Sequence, residues 1–248
     1  MTENPFSLQG RTVLVTGASA GLGRYTAIGV SQAGARVLIT GRNVEKLEAT
    51  RAALAPGAEH VVIPADLTKP EERVRLAAEL PALDGLVHCA GLTLLHPFKF
   101  NSEKRYHEIY SINVEAPLFL TQQFSKARKL NNGASIVFIS SISPDVGTKG
   151  HSIYSGSKAA VQGISRVLAH ELAPAKIRSN CLSPGMVKTE VAEGMSDQIT
   201  PELLAADEAR YPLGYGAPED VANAVIFFLS PASKWITGTN LIMDGGLM

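Results

Sequence analysis

Residues 11–23 read Arg-Thr-Val-Leu-Val-Thr-Gly-Ala-Ser-Ala-Gly-Leu-Gly. A β-branched run is followed at once by a turn holding three glycines. A helical pattern then runs to about residue 33. Gly17 lets the chain turn sharply. Gly21 removes a Cβ where a phosphate must approach the backbone, and Gly23 lets the helix pack closely on the strand. Around Ser19 and Leu22 the helix start offers free N–H groups and the positive end of its dipole to an anion. A strand, glycine turn and helix in this order predict a dinucleotide cradle.

Outward from that stretch, short apolar runs alternate with helical patterns. Residues 36–40, 60–63, 83–89, 134–140, 177–183 and 240–243 read as strands. Residues 43–54, 70–80, 101–130, 153–173 and 218–229 read as helices. Asn43 supplies an N-cap, Pro70 suits a first helical turn, and Pro117 is the expected bend of the 101–130 helix. The strands are apolar at successive positions, the pattern of strands buried on both faces. The alternation predicts an α/β fold with a doubly wound, mostly parallel sheet between two helix layers, residues 1–248 forming one domain. The stretch 186–217 has no strand and is expected to be a substrate loop. Met195, Leu203, Leu204, Tyr211 and Tyr215 are its candidate apolar lid.

Composition narrows the partners. The 248 residues carry 23 Lys+Arg against 23 Asp+Glu, a formal charge of zero. No basic excess points to nucleic acid or to an anionic membrane surface. Hydrophobic residues make up 45%, enough for a sizeable core and too many for a disordered chain. No apolar run approaches the ~20 residues of a membrane span, and residues 1–11 lack a signal-peptide pattern. Cys89 and Cys181 lie in apolar surroundings and read as buried free thiols, which suits a cytoplasmic location. No metal site is expected.

The end of the second strand bears on which dinucleotide binds. An acid there would accept from the adenosine ribose of NAD(H). This chain has Gly41 and Arg42 instead. No carboxylate repels a 2′-phosphate, and a guanidinium is placed to bind one, with the Ser19 hydroxyl beside it. The reading is NADP(H) rather than NAD(H). Tyr154 and Lys158, at i and i+4, share one helix face. An ammonium beside a phenol is expected to lower the phenol pKa, making Tyr154 a usable acid–base near neutral pH. Ser141 ends the fifth strand, where doubly wound sheets bind ligands, and its hydroxyl can donate to a carbonyl.

With these residues in place, the chain resembles a short-chain dehydrogenase/reductase along nearly its whole length. The family's glycine motif matches Gly17, Gly21 and Gly23, and its YxxxK pair matches Tyr154 and Lys158. Its serine matches Ser141, its central-helix Asn matches Asn113, and its adenine-side Asp matches Asp66, followed by Leu67. Its Pro-Gly-x-x-x-Thr segment matches Pro184, Gly185 and Thr189. After the fourth strand the family usually has Asn-Asn-Ala-Gly, where this chain has His88, Cys89, Ala90 and Gly91. Ala90 and Gly91 still let the backbone pass close to a cofactor, and His88 reads as core-lining.

The resemblance implies a seven-stranded Rossmann sheet and an NADP-dependent hydride transfer between a carbonyl and a secondary alcohol. Tyr154 would protonate the carbonyl oxygen that Ser141 holds. Lys158 would bind ribose hydroxyls and lower the Tyr154 pKa, and Asn113 would anchor a water linking Lys158 to solvent. Thr189 and the Val187 backbone would hold the carboxamide. Family members are usually tetramers or dimers packed through long central helices. Lys126, Arg128 and Lys129 leave open a dock for an acyl carrier, hence a 3-oxoacyl-(acyl-carrier-protein) reductase. A non-catalytic NADP(H) sensor is the rival from another class, and it would not need Ser141, Tyr154 and Lys158. His151 is expected in the wall of the substrate cleft, and His96 at its border.

Overall fold

The computed structural model describes residues 4–189 and 200–248. Part of the expected substrate loop, Met195 included, lies outside the described residues. Among the described residues seven strands run β1 (Thr12–Thr16), β2 (Arg36–Gly41), β3 (Val61–Pro64), β4 (Leu83–His88), β5 (Leu130–Ile139), β6 (Arg178–Pro184) and β7 (Asn240–Met243). They form one sheet in the order β3-β2-β1-β4-β5-β6-β7, and every pairing is parallel. The chain winds outward from β1 to β3, crosses back to β4, and winds the other way to β7. The reversal between β1 and β4 opens a crevice beyond their carboxyl ends.

The helices are α1 (Gly21–Gln32), α2 (Val44–Ala52), α3 (Pro70–Glu79), α4 (Glu103–Tyr110), α5 (Ala116–Lys126), α6 (Ser143–Val146), α7 (Ser152–Glu171), α8 (Pro201–Glu208) and α9 (Pro218–Leu229). Successive strand side chains point to opposite faces of a sheet. Val13, Val15, Val37, Ile39 and Val87 meet Ala27 and Val30 of α1 and Val225 of α9 on one face. Leu14, Leu38, Leu86, Ile136 and Phe138 meet Leu76 of α3, Phe124 of α5 and Val161 of α7 on the other. Both faces are covered, so apolar residues stand at successive positions in the central strands. Asn43 caps α2 as expected, accepting from Lys46 N at 2.9 Å.

Two elements differ from the sequence expectation. The 101–130 helix is two helices, and the break lies not at Pro117 but in a π turn over Ser111–Glu115. Pro117 instead stands in the first turn of α5, where its missing N–H costs nothing. Strand β5 begins at Leu130 rather than at residue 134 and takes in Asn131, Asn132 and Gly133. A register shift between Leu83 and Gly85 accommodates them, and Asn131 Nδ2 donates to Asp84 Oδ1 at 2.8 Å.

Candidate active site

A cleft of about 720 Å³ lies at the carboxyl ends of the central strands. The catalytic and cofactor residues expected from the sequence line it except Asn113 and Val187. His151, expected in its wall, and His96, expected at its border, are not among the lining residues. At one end, Gly17 turns with φ +67°, and a Cβ on it would lie 2.7 Å from the Ala90 backbone. The β1–α1 turn and the β4 tip are therefore in backbone contact. Thr16 Oγ1 fastens them, accepting from Ala90 N at 3.1 Å and Cys89 N at 3.2 Å. The start of α1 with Gly21, Leu22 and Gly23 faces the cleft, as does Ser19. Pyrophosphate fits this cradle, since glycines bare the backbone where a helix N-terminus points its donors.

Arg42 and Asp66 line the far end, close enough for the guanidinium to help hold the Asp66 carboxyl below its ordinary pKa. The main cause there is Thr68, whose hydroxyl donates to Asp66 Oδ1 at 2.7 Å. A Cβ on Gly41 would lie 3.5 Å from Ser19 Oγ. Ser19 and the β2 tip thus share the wall with Arg42.

At the other end, Tyr154 and Lys158 project from the first turns of α7 toward Ser141, just past β5. The phenol pKa is pushed up by burial, with Ser141 hydrogen bonding opposing it. This corrects the expectation that Lys158 lowers it. The Lys158 ammonium donates to the Ile139 carbonyl at 2.8 Å and sits 5.6 Å from the Tyr154 ring centroid. Desolvation outweighs any help the ammonium gives the phenolate. Burial also pulls Lys158 itself down to about 8.

Asn113 lies behind the cleft wall, within the π turn and buried. Its Nδ2 donates to Leu92 O at 2.9 Å and Ser157 Oγ at 3.0 Å, and its Oδ1 accepts from Leu92 N at 2.8 Å. The side chain ties the chain after β4 to α7 one turn from Tyr154. Val187 is set apart, pairing with Gly216 and lining a second cavity of about 330 Å³. Pro184, Gly185 and Thr189 close the main cleft after β6.

Some residues were not anticipated. Ser140, Leu92, Thr93, Glu108, Ser111 and Ile112 line the cleft. Ser111 and Ile112 adjoin Asn113 in sequence, which was the available signal. Cys89 is only partly buried and opens onto the cleft, contrary to its reading as a buried thiol. Cys181 is buried as expected. His88 is a core residue. Its ring stacks on Phe138 at 4.8 Å and its Nε2 lies 2.8 Å from Thr121 Oγ1. The Thr121 hydroxyl proton goes to Pro117 O, so Nε2–H must donate, and burial lowers the His88 pKa to about 3. Among the described residues no cluster could hold a metal ion, and no helix is long and apolar enough to cross a membrane.

A parallel doubly wound sheet with a pyrophosphate cradle at its switch point and a Ser, Tyr and Lys group at the far end defines a dinucleotide-dependent oxidoreductase. Residues 17–248 match the family model described as enoyl-(acyl carrier protein) reductase. The chain is 35% identical to the 3-oxoacyl-[acyl-carrier-protein] reductase FabG of Rickettsia bellii, covering 97% of this chain and 98% of that one. It is 33% identical to the hydroxynaphthalene reductase-like protein Arp2 of Metarhizium majus, over 98% of this chain and 97% of that one. A solved structure from Beutenbergia cavernae, provisionally assigned as an NAD(P)-dependent gluconate 5-dehydrogenase with NADP bound at low occupancy, superposes with a TM-score of 0.90. It shares 34% identity and is matched over 98% of this chain and 99% of its own. The chain belongs to the short-chain dehydrogenase/reductase family and is an oxidoreductase.

Proposed function

We propose that this protein is an NADP(H)-dependent carbonyl reductase, or alcohol dehydrogenase in reverse, acting on a small molecule. The observation that carries the reading is the convergence of Ser141, Tyr154 and Lys158 on a cleft whose opposite end holds Arg42 and no carboxylate at position 41. The bound nicotinamide would supply or accept the hydride. The chain's part is to hold, orient and protonate. Burial keeps the Tyr154 hydroxyl protonated at neutral pH, the form required to give a proton to a carbonyl oxygen. Ser141 donates a second hydrogen bond to that oxygen. Lys158, fixed through Ile139, offers its remaining donors to ribose hydroxyls. Asn113 keeps the Leu92 backbone and α7 in register around them. Arg42 and Ser19 bind the 2′-phosphate, favouring NADP(H) over NAD(H), and Thr189 holds the carboxamide.

The bound NADP of the Beutenbergia relative supports the cofactor. The free thiols suit the cytoplasm. The working form is a homo-oligomer, by likeness to the family. An NADPH-oxidation screen over ketones, ketosugars, quinones and acyl thioesters tests the reading. NADPH that binds but is never consumed would favour the non-catalytic sensor.

A second reading, reduction of a 3-oxoacyl group on a carrier protein, is favoured by likeness to the Rickettsia enzyme. Its expected basic dock is reduced here. Lys129 donates to Ala78 O at 2.7 Å and Leu80 O at 2.6 Å, so it serves the end of α3. Lys126 and Arg128 remain for an acidic carrier.

A further inference from the structure

Against the Tyr154 ring, behind the residues that line the cleft, stands a polar side chain that carbonyl protonation does not use. His151 stands just before α7, its ring edge-on to that of Tyr154 with centroids 5.3 Å apart. His151 Nδ1 is 3.3 Å from Ser143 Oγ, Ser143 Oγ is 2.5 Å from Ser155 Oγ, and Ser155 Oγ is 3.2 Å from Ser143 O. One proton placement fills all three contacts. Ser155 donates to the Ser143 carbonyl, Ser143 donates to Ser155 Oγ, and Nδ1–H of His151 donates to Ser143 Oγ. With the chain reversed, the Ser143 carbonyl contact receives no proton. The network therefore selects the tautomer that leaves the lone pair on Nε2. Among the described residues Nε2 has no hydrogen-bond partner, which leaves its lone pair for a ligand. Burial lowers the imidazole pKa, so the ring is neutral at pH 7. Ser143 also donates its backbone N–H to Ser141 Oγ at 3.1 Å, so one short segment orients both groups.

We propose that His151 sets substrate specificity, its Nε2 accepting a hydrogen bond from a hydroxyl on the carbon next to the carbonyl held by Tyr154 and Ser141. The substrate class is then the hydroxy ketones. This assignment rests on the carbonyl-reductase reading of the cleft. A ketone without that hydroxyl leaves the His151 acceptor unpaired in the complex, and a site built for a hydroxyl discriminates against such a ligand.

The test compares acetoin with butanone, using NADPH, in wild type, His151→Phe and His151→Gln. One neutral hydrogen bond is worth roughly three- to tenfold in relative kcat/KM. The acetoin-to-butanone ratio should fall by that factor in His151→Phe. His151→Gln, whose amide oxygen can still accept, should retain most of the ratio. A ratio unchanged in His151→Phe overturns the proposal. Nitrogen NMR of the imidazole provides a readout independent of turnover, with the His151 signals identified by their loss in His151→Gln. The expected spectrum shows Nδ1 protonated and an Nε2 shift on adding acetoin to the NADP-loaded protein. A protonated Nε2 at pH 7, or no shift, overturns the assignment. If neither ketone is turned over, the carbonyl reading falls, while the tautomer and the acetoin shift still decide the role of His151.

Discussion

The ammonium of Lys158 sits 5.6 Å from the Tyr154 ring centroid, yet its hydrogen bond goes to the Ile139 carbonyl at 2.8 Å. The two residues share a helix face without bonding to each other. The lysine is anchored to the end of β5, and its charge is held in a buried place. That arrangement carries a stability cost with a definite pH dependence.

Lys158 falls from 10.5 to about 8 because burial disfavours its charged form. The unfolded chain therefore binds more protons than the folded one between pH 8 and 10.5, and stability from this group rises with pH across that window. Below it, the cost is on the order of 3 kcal/mol. Lys158→Met removes the cost and leaves the Ile139 carbonyl unpaired, a loss of about 1–2 kcal/mol. The variant should be about 1–2 kcal/mol more stable than wild type at pH 7 and lose that advantage by pH 10, while turnover collapses. Urea unfolding of both proteins at the two pH values checks this. A variant less stable than wild type at pH 7 would contradict it.

Tyr154→Phe should retain NADPH binding and lose turnover. On the proposed mechanism its hydroxyl gives the proton, and a positioned acid–base contributes about 10²–10⁴-fold. Single-turnover NADPH oxidation and fluorescence titration of the cofactor separate the two effects. A Phe variant keeping a tenth of the wild-type rate would remove Tyr154 from the acid role.

The sheet and most of the site were readable because each depends on local sequence. Apolar strands report burial on two faces, and the glycine turn reports a backbone that must approach a phosphate. What escaped depends on tertiary contact. The π turn at Ser111–Glu115 has no breaker residue to announce it, and Pro117, the visible breaker, only restarts the helix. The phenol pKa was misjudged because i,i+4 spacing shows proximity but not burial or the competing acceptor at Ile139. The role of Asn113 as a clamp on Leu92 joins residues 21 apart, a pairing no local pattern encodes.

Gly17→Ala tests the cradle. A Cβ there would lie 2.7 Å from two Ala90 backbone atoms, and φ is +67°, so clash and backbone strain act together. Each effect is worth about 1–3 kcal/mol. The variant should lose at least that much stability and bind NADPH more than tenfold more weakly, because the turn must open to admit the methyl. Gly163→Ala is the control, since a Cβ there meets nothing within 4 Å. Thermal melts and cofactor titrations should show the first variant impaired and the second close to wild type. Equal behaviour of the two would mean the β1–α1 turn yields without cost.

Cofactor preference is the last test. Arg42 lines the adenosine end of the cleft with Ser19, and Gly41 presents no acid. A charge-assisted hydrogen bond from guanidinium to a 2′-phosphate is worth about 1.5–3 kcal/mol, or roughly ten- to hundredfold in affinity. Wild type should prefer NADPH to NADH by that factor in kcat/KM. On the proposed reading the preference should be reversible. Gly41 has room for a side chain, since a Cβ there meets Ser19 Oγ at 3.5 Å, an ordinary contact. Gly41→Asp combined with Arg42→Ala removes the phosphate's partner, adds a charge that repels it, and supplies an acceptor for the ribose 2′-hydroxyl of NADH. The double variant should prefer NADH. Measuring kcat/KM for both cofactors in both proteins decides the matter. Wild type using the two equally would refute the role of Arg42, and a double variant that still favours NADPH would place the phosphate on another cation.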